Sequence, residues 1–526
     1  MNPSTSNHAA LKLAQAVERA YQGGQTDYAM PPLVLVGENS QPAGAIQDGD
    51  GVIFCCRRGE REIELTEAFT QPDFPHFERR QLQDLDFVIL TLYHDKFKDL
   101  PVAFAPARVS QTLGEVVSQV GLRQLRCSES EKFAHVTFFL SGGNNQSFPG
   151  EDDLRIPSPK NIPFDQVPEL SLPQVADEVI QALQKGYDLI VTNFANGDVI
   201  GHTANDQAKL SCARHVDFHL GRVVEAAKQA GYVVAITADH GNLEVMRTED
   251  GKPHVAHTSN LVPFILIDSL CSTPISLKDG SLPDIAPTLL NILGLSVPGS
   301  MTGQNLAEAT SWTEGRQVLL IILDGWGIGE PDASNPIYMA ETPVWDKLLQ
   351  DYPHAQLHAS GPAVGLQQGK PGNSEAGHMN IGAGRVVPQD DVRLDQAMAD
   401  GSFYTNEVFL HAIDGVKARK TRLHLIGLLT EKSSHGSIDY PLALLRMARD
   451  KGLQDVCLHI IFDGRSTPPG SAPALLQKLE QSMTEIGIGQ VVSGVGRGIA
   501  LDRDGNYAKI QKAYEAMVLG HGEKYS

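Results

Sequence analysis

From about residue 107 the chain alternates short apolar runs with longer amphipathic stretches. The spacing predicts helices over 174–184, 208–230 and 284–293, and strands over 134–140, 187–194, 232–237, 262–267 and 317–323. This alternation calls for an α/β domain with a largely parallel sheet, because each parallel pair of strands needs a crossover, usually a helix, between them.

The flanking segments follow a related grammar. A helix is expected over 11–21, a break at Gly23-Gly24, a turn at Asp48-Gly49-Asp50-Gly51, and strands over 52–56 and 86–92. The stretch 100–106 has a proline near each end and reads as a hinge. A polar connector covers 309–315. From about 389 onward, strands are expected over 424–428 and 456–462, and helices over 441–449, 473–486 and 507–519. Pro473 stands at the first helical position, where its missing N–H is harmless. At 526 residues the chain exceeds one hydrophobic core, so at least two domains are expected.

Composition narrows the partners. A formal net charge of −20 argues against non-specific nucleic-acid binding, though local arginines can still hold an anion. Six cysteines form no framework, with Cys55 and Cys56 adjacent and the rest scattered, which fits a reducing compartment. No apolar run approaches the roughly 18 residues that span a bilayer, and the start of the chain shows no secretory pattern. The expectation is a cytoplasmic monomer without membrane or nucleic-acid partners.

Chemistry concentrates in a few motifs. Lys370-Pro371-Gly372-Asn373-Ser374-Glu375-Ala376-Gly377-His378 sets Ser374 among small residues at a loop-to-helix junction. A helix starting there aims free N–H groups at an incoming phosphate. A serine hydroxyl is a weak nucleophile and needs a base or a metal beside it. The same pattern also describes an ordinary helix cap. Several strands, however, border Asp and His. Asn196-Gly197-Asp198-Val199-Ile200-Gly201-His202 follows 187–194, Asp239-His240 follows 232–237, and Asp324-Gly325 follows 317–323. His254-Val255-Ala256-His257 precedes 262–267. Ligands of open α/β sheets bind outside the carboxyl ends of the strands, so these residues should converge. Each alone reads as a turn or a solvated loop; together they offer Asp and His donors for two ions such as Mn²⁺ or Zn²⁺.

As a set, Asn-Gly-Asp-x-x-Gly-His-Thr, Thr-Ala-Asp-His-Gly-Asn, His-x-x-His-Thr, Leu-Asp-Gly-Trp-Gly and Gly-Asn-Ser-Glu-x-Gly-His resemble the cofactor-independent phosphoglycerate mutases. These are dimetal enzymes of the alkaline phosphatase superfamily. The likeness extends to 126–139 and to Asp284-Ile285-Ala286-Pro287-Thr288. It implies one metal on Asp198, His202 and His257, and a second on Asp324, Ser374, Asp239 and His240. Mn²⁺ is the expected ion, with Zn²⁺, Co²⁺ or Mg²⁺ as alternatives, and no bisphosphoglycerate is needed. Ser374 would carry the phosphoryl group, and Lys132 matches a family lysine at the active site.

The order of the motifs differs from the family's. Its opening Leu-Asp-Gly strand and serine motif begin here near 317, after its closing Met301-Thr302-Gly303. The resemblance therefore implies a circular permutation with both chain ends in one domain. The expected fold is two α/β domains. A phosphatase-like metal domain with a largely parallel sheet covers 107–388, and a phosphotransferase-like domain is assembled from 1–106 and 389–526.

Substrate contacts implied by the family fall on Arg58, Arg61, Lys132, His435, Arg465, Arg497 and Arg503. Arginine suits carboxylate and phosphate because its fork is bidentate. Three positions depart from the pattern. Ser466 replaces an aspartate after Asp463-Gly464-Arg465, His435-Gly436-Ser437 with Lys432 upstream replaces a His-Ser-His loop, and Gly498-Ile499 replaces an aromatic pair. The implied activity is interconversion of 3-phosphoglycerate and 2-phosphoglycerate. The alternative is a metal-dependent phosphomonoesterase, or a mutase of another phosphorylated hydroxy acid.

Overall fold

A computed structural model describes residues 8–526 apart from 38, 58–60, 107–108, 249, 272–274, 309–311, 313–314, 432 and 434. Arg58, Lys432 and most of the 309–315 connector therefore lie outside the described residues. The chain divides into two units, Ala107–Val392 and the pair of segments Met1–Pro106 and Arg393–Ser526.

The Ala107–Val392 unit is built on an eight-stranded sheet. Across it run Gly280–Ser281, His354–His358, Val262–Ile267, Val233–Thr237, Val318–Leu323, Leu189–Phe194, Gln124–Glu129 and Glu151–Ile156. Five neighbouring pairs are parallel, and only the two pairings of Val262–Ile267 are antiparallel. The central strand Val318–Leu323 is a run of Val, Leu and Ile, all buried, as expected of a parallel strand covered on both faces. The longest helix, Asp206–Gln229, starts at Asn205, whose side chain accepts a hydrogen bond from the Ala208 N–H at 3.1 Å.

One expected strand is absent. Residues 134–140 form a π-helical turn at His135–Phe139, and the strand lies upstream at Gln124–Glu129. Val136 and Leu140 are buried while Phe138 between them is not, so the run buries every fourth residue as a helix does and not every second as a strand would. Elsewhere in this unit strand and helix positions match the spacing to within a few residues.

The other unit joins both ends of the chain in one sheet. Its order is Glu523–Tyr525, Leu33–Leu35, Gln490–Gly496, Val456–Phe462, Leu423–Leu429, Gly51–Phe54, Asp86–Thr91 and Val102–Phe104. Leu33–Leu35 lies between two strands from the far end of the chain, and Gly51–Phe54 pairs with Leu423–Leu429 in parallel. Alternate residues feed cores on the two faces: Ile53 and Val88 pack on one side, Val52, Phe54, Phe87 and Ile89 on the other. The stretch expected as a hinge, 100–106, contains the edge strand Val102–Phe104, paired with Asp86–Thr91. Backbone pairing to a sheet fixes it more firmly than its prolines suggest.

Candidate functional site

Three adjacent parallel strands deliver the acidic residues of the Ala107–Val392 unit. Val318–Leu323 lies between Val233–Thr237 and Leu189–Phe194. Asp324 follows the first, Asp239 and His240 the second, and the short helix Asn196–Gly201 after the third carries Asp198. Gly325 has a φ of +71°, and a Cβ there would sit 2.6 Å from the Asp198 backbone nitrogen. Only glycine lets the two loops approach this closely.

Ser374 opens the helix Ser374–Ala383, capped by Asn373, whose side chain accepts from the Ala376 N–H at 2.9 Å. A Cβ at Gly377 would lie 2.6 Å from the Asp239 carbonyl oxygen, so glycine lets this helix rest against the Asp239 loop. The cap reading and the nucleophile reading of this motif thus describe one arrangement. The capped helix start is what presents the hydroxyl.

Around Ser374 Oγ, Lys132 Nζ lies at 2.7 Å, His240 Nε2 at 3.0 Å and Asp324 Oδ1 at 3.2 Å. Lys132 Nζ also donates to Asp198 Oδ2 at 2.6 Å and Asp324 Oδ1 at 2.8 Å. Burial lowers the lysine's proton affinity, but Asp324 and Asp198 more than offset this and hold it charged.

Three histidines are fixed in one tautomer by backbone carbonyls. His202 Nδ1 is 2.9 Å from Val255 O, His257 Nδ1 is 2.8 Å from Gly372 O, and His240 Nδ1 is 3.2 Å from Gly241 O. A carbonyl only accepts, so each Nδ1 donates and each neutral imidazole keeps its lone pair on Nε2. Those lone pairs converge. The Nε2 atoms of His202 and His257 are 3.0 Å apart, and both lie within 3.2 Å of Asp198 Oδ1. Acceptors crowded this way need a cation between them.

The charge count agrees. Asp198, Asp239 and Asp324 are buried with Lys132 as the one ammonium bound to the cluster. Burial, then Asp239, raises the Asp324 carboxyl despite Lys132. Burial also acts on Asp198, but Lys132 and the His202 and His257 contacts hold it well below the usual range. The buried Asp239 Oδ2 has no hydrogen-bond partner. Two overlapping donor groups, Asp198 with His240 and His257, and Asp239 with His240 and Asp324, each have their atoms within 4.8 Å. His202 adjoins the first through His257. This donor set fits divalent cations.

Two polar side chains that the motif reading did not assign also belong here. His378 Nδ1 donates to the Ser374 carbonyl at 2.9 Å and lies 3.3 Å from Asp239 Oδ2. Asn193 Nδ2 donates to Asp324 Oδ2 at 2.7 Å and faces His378 Nε2 at 3.0 Å. Both were visible as anomalies: a buried Asn inside an apolar strand, and a His closing the serine motif.

In the other unit the basic residues gather after strand ends too. Arg497 follows Gln490–Gly496 and its Nη1 contacts Asp463 Oδ1 at 2.5 Å, just beyond Val456–Phe462. Arg61 is buried and donates from Nη1 to Leu501 O at 3.0 Å. His435 Nδ1 lies 3.2 Å from Glu62 Oε1. Arg465, Ser466 and Arg503 are exposed beyond the same strand ends.

Residues 4–297 match the model of the Metalloenzyme superfamily. The chain belongs to this metalloenzyme superfamily. Residues 394–526 match a second model, described as the BPG-independent PGAM N-terminus, so a family named for an N-terminus occupies the far end of this chain. Relatives include the 2,3-bisphosphoglycerate-independent phosphoglycerate mutases of Moorella thermoacetica, 45% identical over 57% of this chain and 58% of that protein, and of Syntrophotalea carbinolica, 47% identical over 56% and 57%. The chain thus spans a little over half the length of the curated relatives it matches. A Leishmania mexicana phosphoglycerate mutase crystal structure is similar at TM-score 0.41 and 28% identity, over 52% of this chain and 53% of that one. The resemblance to cofactor-independent phosphoglycerate mutases stands on both family models and on these relatives.

Proposed function

We propose that the protein interconverts 3-phosphoglycerate and 2-phosphoglycerate, a step of glycolysis and gluconeogenesis, through a phosphoserine on Ser374. The observation that carries this reading is the Ser374 hydroxyl set between Lys132 Nζ at 2.7 Å and His240 Nε2 at 3.0 Å, beside converging histidine lone pairs.

Asp198, His202 and His257 would hold one divalent cation, and Asp324, Ser374, Asp239 and His240 the other, with Mn²⁺ the first choice. Bound there, the ions would lower the hydroxyl's pKa and neutralise the phosphoryl oxygens. Ser374 Oγ attacks phosphorus, its P–O bond forms as the substrate ester P–O bond breaks, and the hydroxyl proton ends on the released glycerate oxygen. Lys132, held charged, faces the negative charge that grows on Oγ. The retained glycerate then reorients, and its other hydroxyl takes the phosphoryl group back while Ser374 regains a proton. Arg58, Arg61, His435, Arg465, Arg497 and Arg503 would bind the carboxylate and phosphate during this exchange.

We further infer a circular permutation, with 1–106 and 389–526 forming the phosphotransferase-like domain and 107–388 the metal domain. It is supported by strands from both chain ends sharing one sheet and by the N-terminus family lying at 394–526. A cytoplasmic monomer without membrane or nucleic-acid partners completes the proposal. No helix among the described residues is long and apolar enough to cross a membrane.

The test is a coupled assay. Metal-stripped protein receives 3-phosphoglycerate with Mn²⁺ restored and no bisphosphoglycerate, while free phosphate is followed in parallel. Formation of 2-phosphoglycerate without phosphate release is expected. Ser466, standing where the family has an aspartate, favours the second reading: a metal-dependent phosphomonoesterase or a mutase of another phosphorylated hydroxy acid. Phosphate release alone would select the phosphomonoesterase.

A further inference from the structure

Glu244 is a buried carboxylate of the Ala107–Val392 unit that the proposed reaction does not use. Among the described residues, its two oxygens receive four donors. Oε2 accepts from the backbone N–H groups of Asn242 at 2.8 Å and Gly327 at 3.1 Å. Oε1 accepts from Asn260 Nδ2 at 2.9 Å and from the Thr258 hydroxyl. These donors come from three loops, and each loop carries proposed metal ligands. Asn242 comes just after Asp239-His240, Gly327 after Asp324, and Thr258 directly after His257. Asn242 extends the reach to a fourth segment, because its Nδ2 donates to Asp198 Oδ1 at 2.9 Å. Backbone bonds run between the same loops: the Thr258 N–H donates to Gly241 O at 2.9 Å and the Leu243 N–H to Gly325 O at 2.8 Å.

Space has been left for this carboxylate. A Cβ at Gly327 would lie 2.4 Å from the Glu244 carboxyl carbon, and one at Gly241 would lie 2.4 Å from Oε1. The loops need such a tie. They bring together three carboxylates and three imidazoles with only Lys132 as a cation bound among them, so their own side chains do not hold them together. A shared acceptor at the backbone does. It orders the loops when the chain folds, and an arriving ion then has less ordering to impose. Groups that orient metal ligands from behind act on affinity in this way.

We propose that Glu244 is a positioning residue that gathers the His240, Asp324 and His257 loops on one carboxylate and so pre-assembles both cation sites. The proposal rests on the two-cation part of the reading above and deepens it. Reach matters more than charge in this role. Glu244→Gln keeps a carbonyl oxygen for the two backbone N–H groups, while Thr258 and Asn260 can turn their side chains to accept from the new amide. Glu244→Asp keeps the charge but is one methylene too short to meet all four donors. Glu244→Ala removes the tie.

The experiment is a calorimetric titration of the metal-stripped full chain with Mn²⁺ alone, with the mutase assay run beside it. Relative to the unaltered protein, Mn²⁺ affinity should fall less than about threefold in Glu244→Gln, about tenfold in Glu244→Asp and about thirtyfold in Glu244→Ala. Asp284→Ala is the control for general loosening. Asp284 also ties two loops, accepting from the backbone N–H groups of Ser281 at 2.7 Å and Gln304 at 2.6 Å, but its partners border no proposed ligand. Its Mn²⁺ affinity should stay within about twofold. Tighter binding by Glu244→Asp than by Glu244→Gln would overturn the proposal. So would an unchanged affinity in Glu244→Ala, or an equal loss in Asp284→Ala. If Glu244→Ala fails to fold, the order of the Gln and Asp variants still decides. Mn²⁺ bound in the expected order with no 2-phosphoglycerate formed would remove the substrate assignment and leave the role of Glu244 supported. No Mn²⁺ bound by the unaltered protein would overturn both.

Discussion

Two buried polar clusters, one in each unit, look alike in composition and differ in accounting. In the unit formed by both chain ends, Asp50, His424, His459 and Ser493 form a line across four neighbouring strands. Asp50 Oδ2 meets His424 Nε2 at 3.1 Å, His424 Nδ1 meets His459 Nε2 at 3.0 Å, and His459 Nδ1 meets Ser493 Oγ at 2.7 Å. Asp50 also accepts from the backbone N–H groups of Arg422 and Gln47 at 2.8 Å each. None of the four side chains has a buried polar atom left unpaired. In the other unit, three aspartates and three histidines surround Lys132 and Ser374, Asp239 Oδ2 is orphaned, and imidazole lone pairs face each other. A satisfied polar line specifies a sheet; an unsatisfied one is built for something that binds. Residue types alone, Asp, His and Ser in both, do not separate them.

The largest test of this contrast is Ser374→Ala. Loss of the proposed nucleophile should lower kcat by roughly 10³-fold or more, while the ion proposed on Asp198, His202 and His257 is retained in elemental analysis. Asp50→Ala should do the reverse. Retained kcat within about twofold, with a loss of about 2 kcal/mol in urea unfolding, is expected from an unpaired buried imidazole. A kcat collapse in Asp50→Ala would erase the distinction between the clusters.

Glu129 sharpens the comparison from a third direction. It ends the strand Gln124–Glu129, is buried with Oε2 unpartnered, and burial pushes its carboxyl up from 4.5 to about 7. The folded protein therefore holds a proton that the unfolded chain releases. Its contribution to stability is intact below the ordinary carboxylate range and lost as pH rises through about 7. Relative to the unaltered protein, Glu129→Gln should gain about 3 kcal/mol between pH 4.5 and pH 8, read as the pH dependence of paired urea titrations. A flat difference would mean that the hydrogen bonds from Ser158 and the Ser171 backbone offset the burial.

The smallest expected effect is on the metal-free protein. Asp239→Asn removes a carboxylate that His240, His378 and Lys132 hold below its usual range despite burial, so it should destabilise the stripped protein by about 1 kcal/mol and lower the metal content after reloading. Stabilisation of the stripped protein would show that repulsion among the three carboxylates outweighs those contacts.

Much of the architecture was legible from pattern. Val262–Ile267 and Val456–Phe462 fall where their apolar runs predict, because a strand buried along its whole length has no polar residue to blur its ends. The run 134–140 misled, since an apolar stretch of that length fits a strand or a helical turn equally and only burial at Val136 and Leu140 separates them. At the site, Asp198, Asp239, His240, Asp324 and Ser374 were readable as residues that border strand or helix ends. Asn193 stood out only as a polar residue inside an apolar strand, and its role was not readable, because that role comes from a partner 131 residues away in sequence.

What the sequence determined by itself is therefore local and periodic: the alternation of strands and helices, the residue types beside strand ends, and the serine at a helix start. Tertiary structure decided the rest. It chose which strands are neighbours, brought both chain ends into one sheet, turned three imidazoles to face a common point, and left particular oxygens without donors. Those outcomes depend on strand order, desolvation and hydrogen-bond partners contributed from elsewhere in the chain, and no local pattern encodes the distance between them.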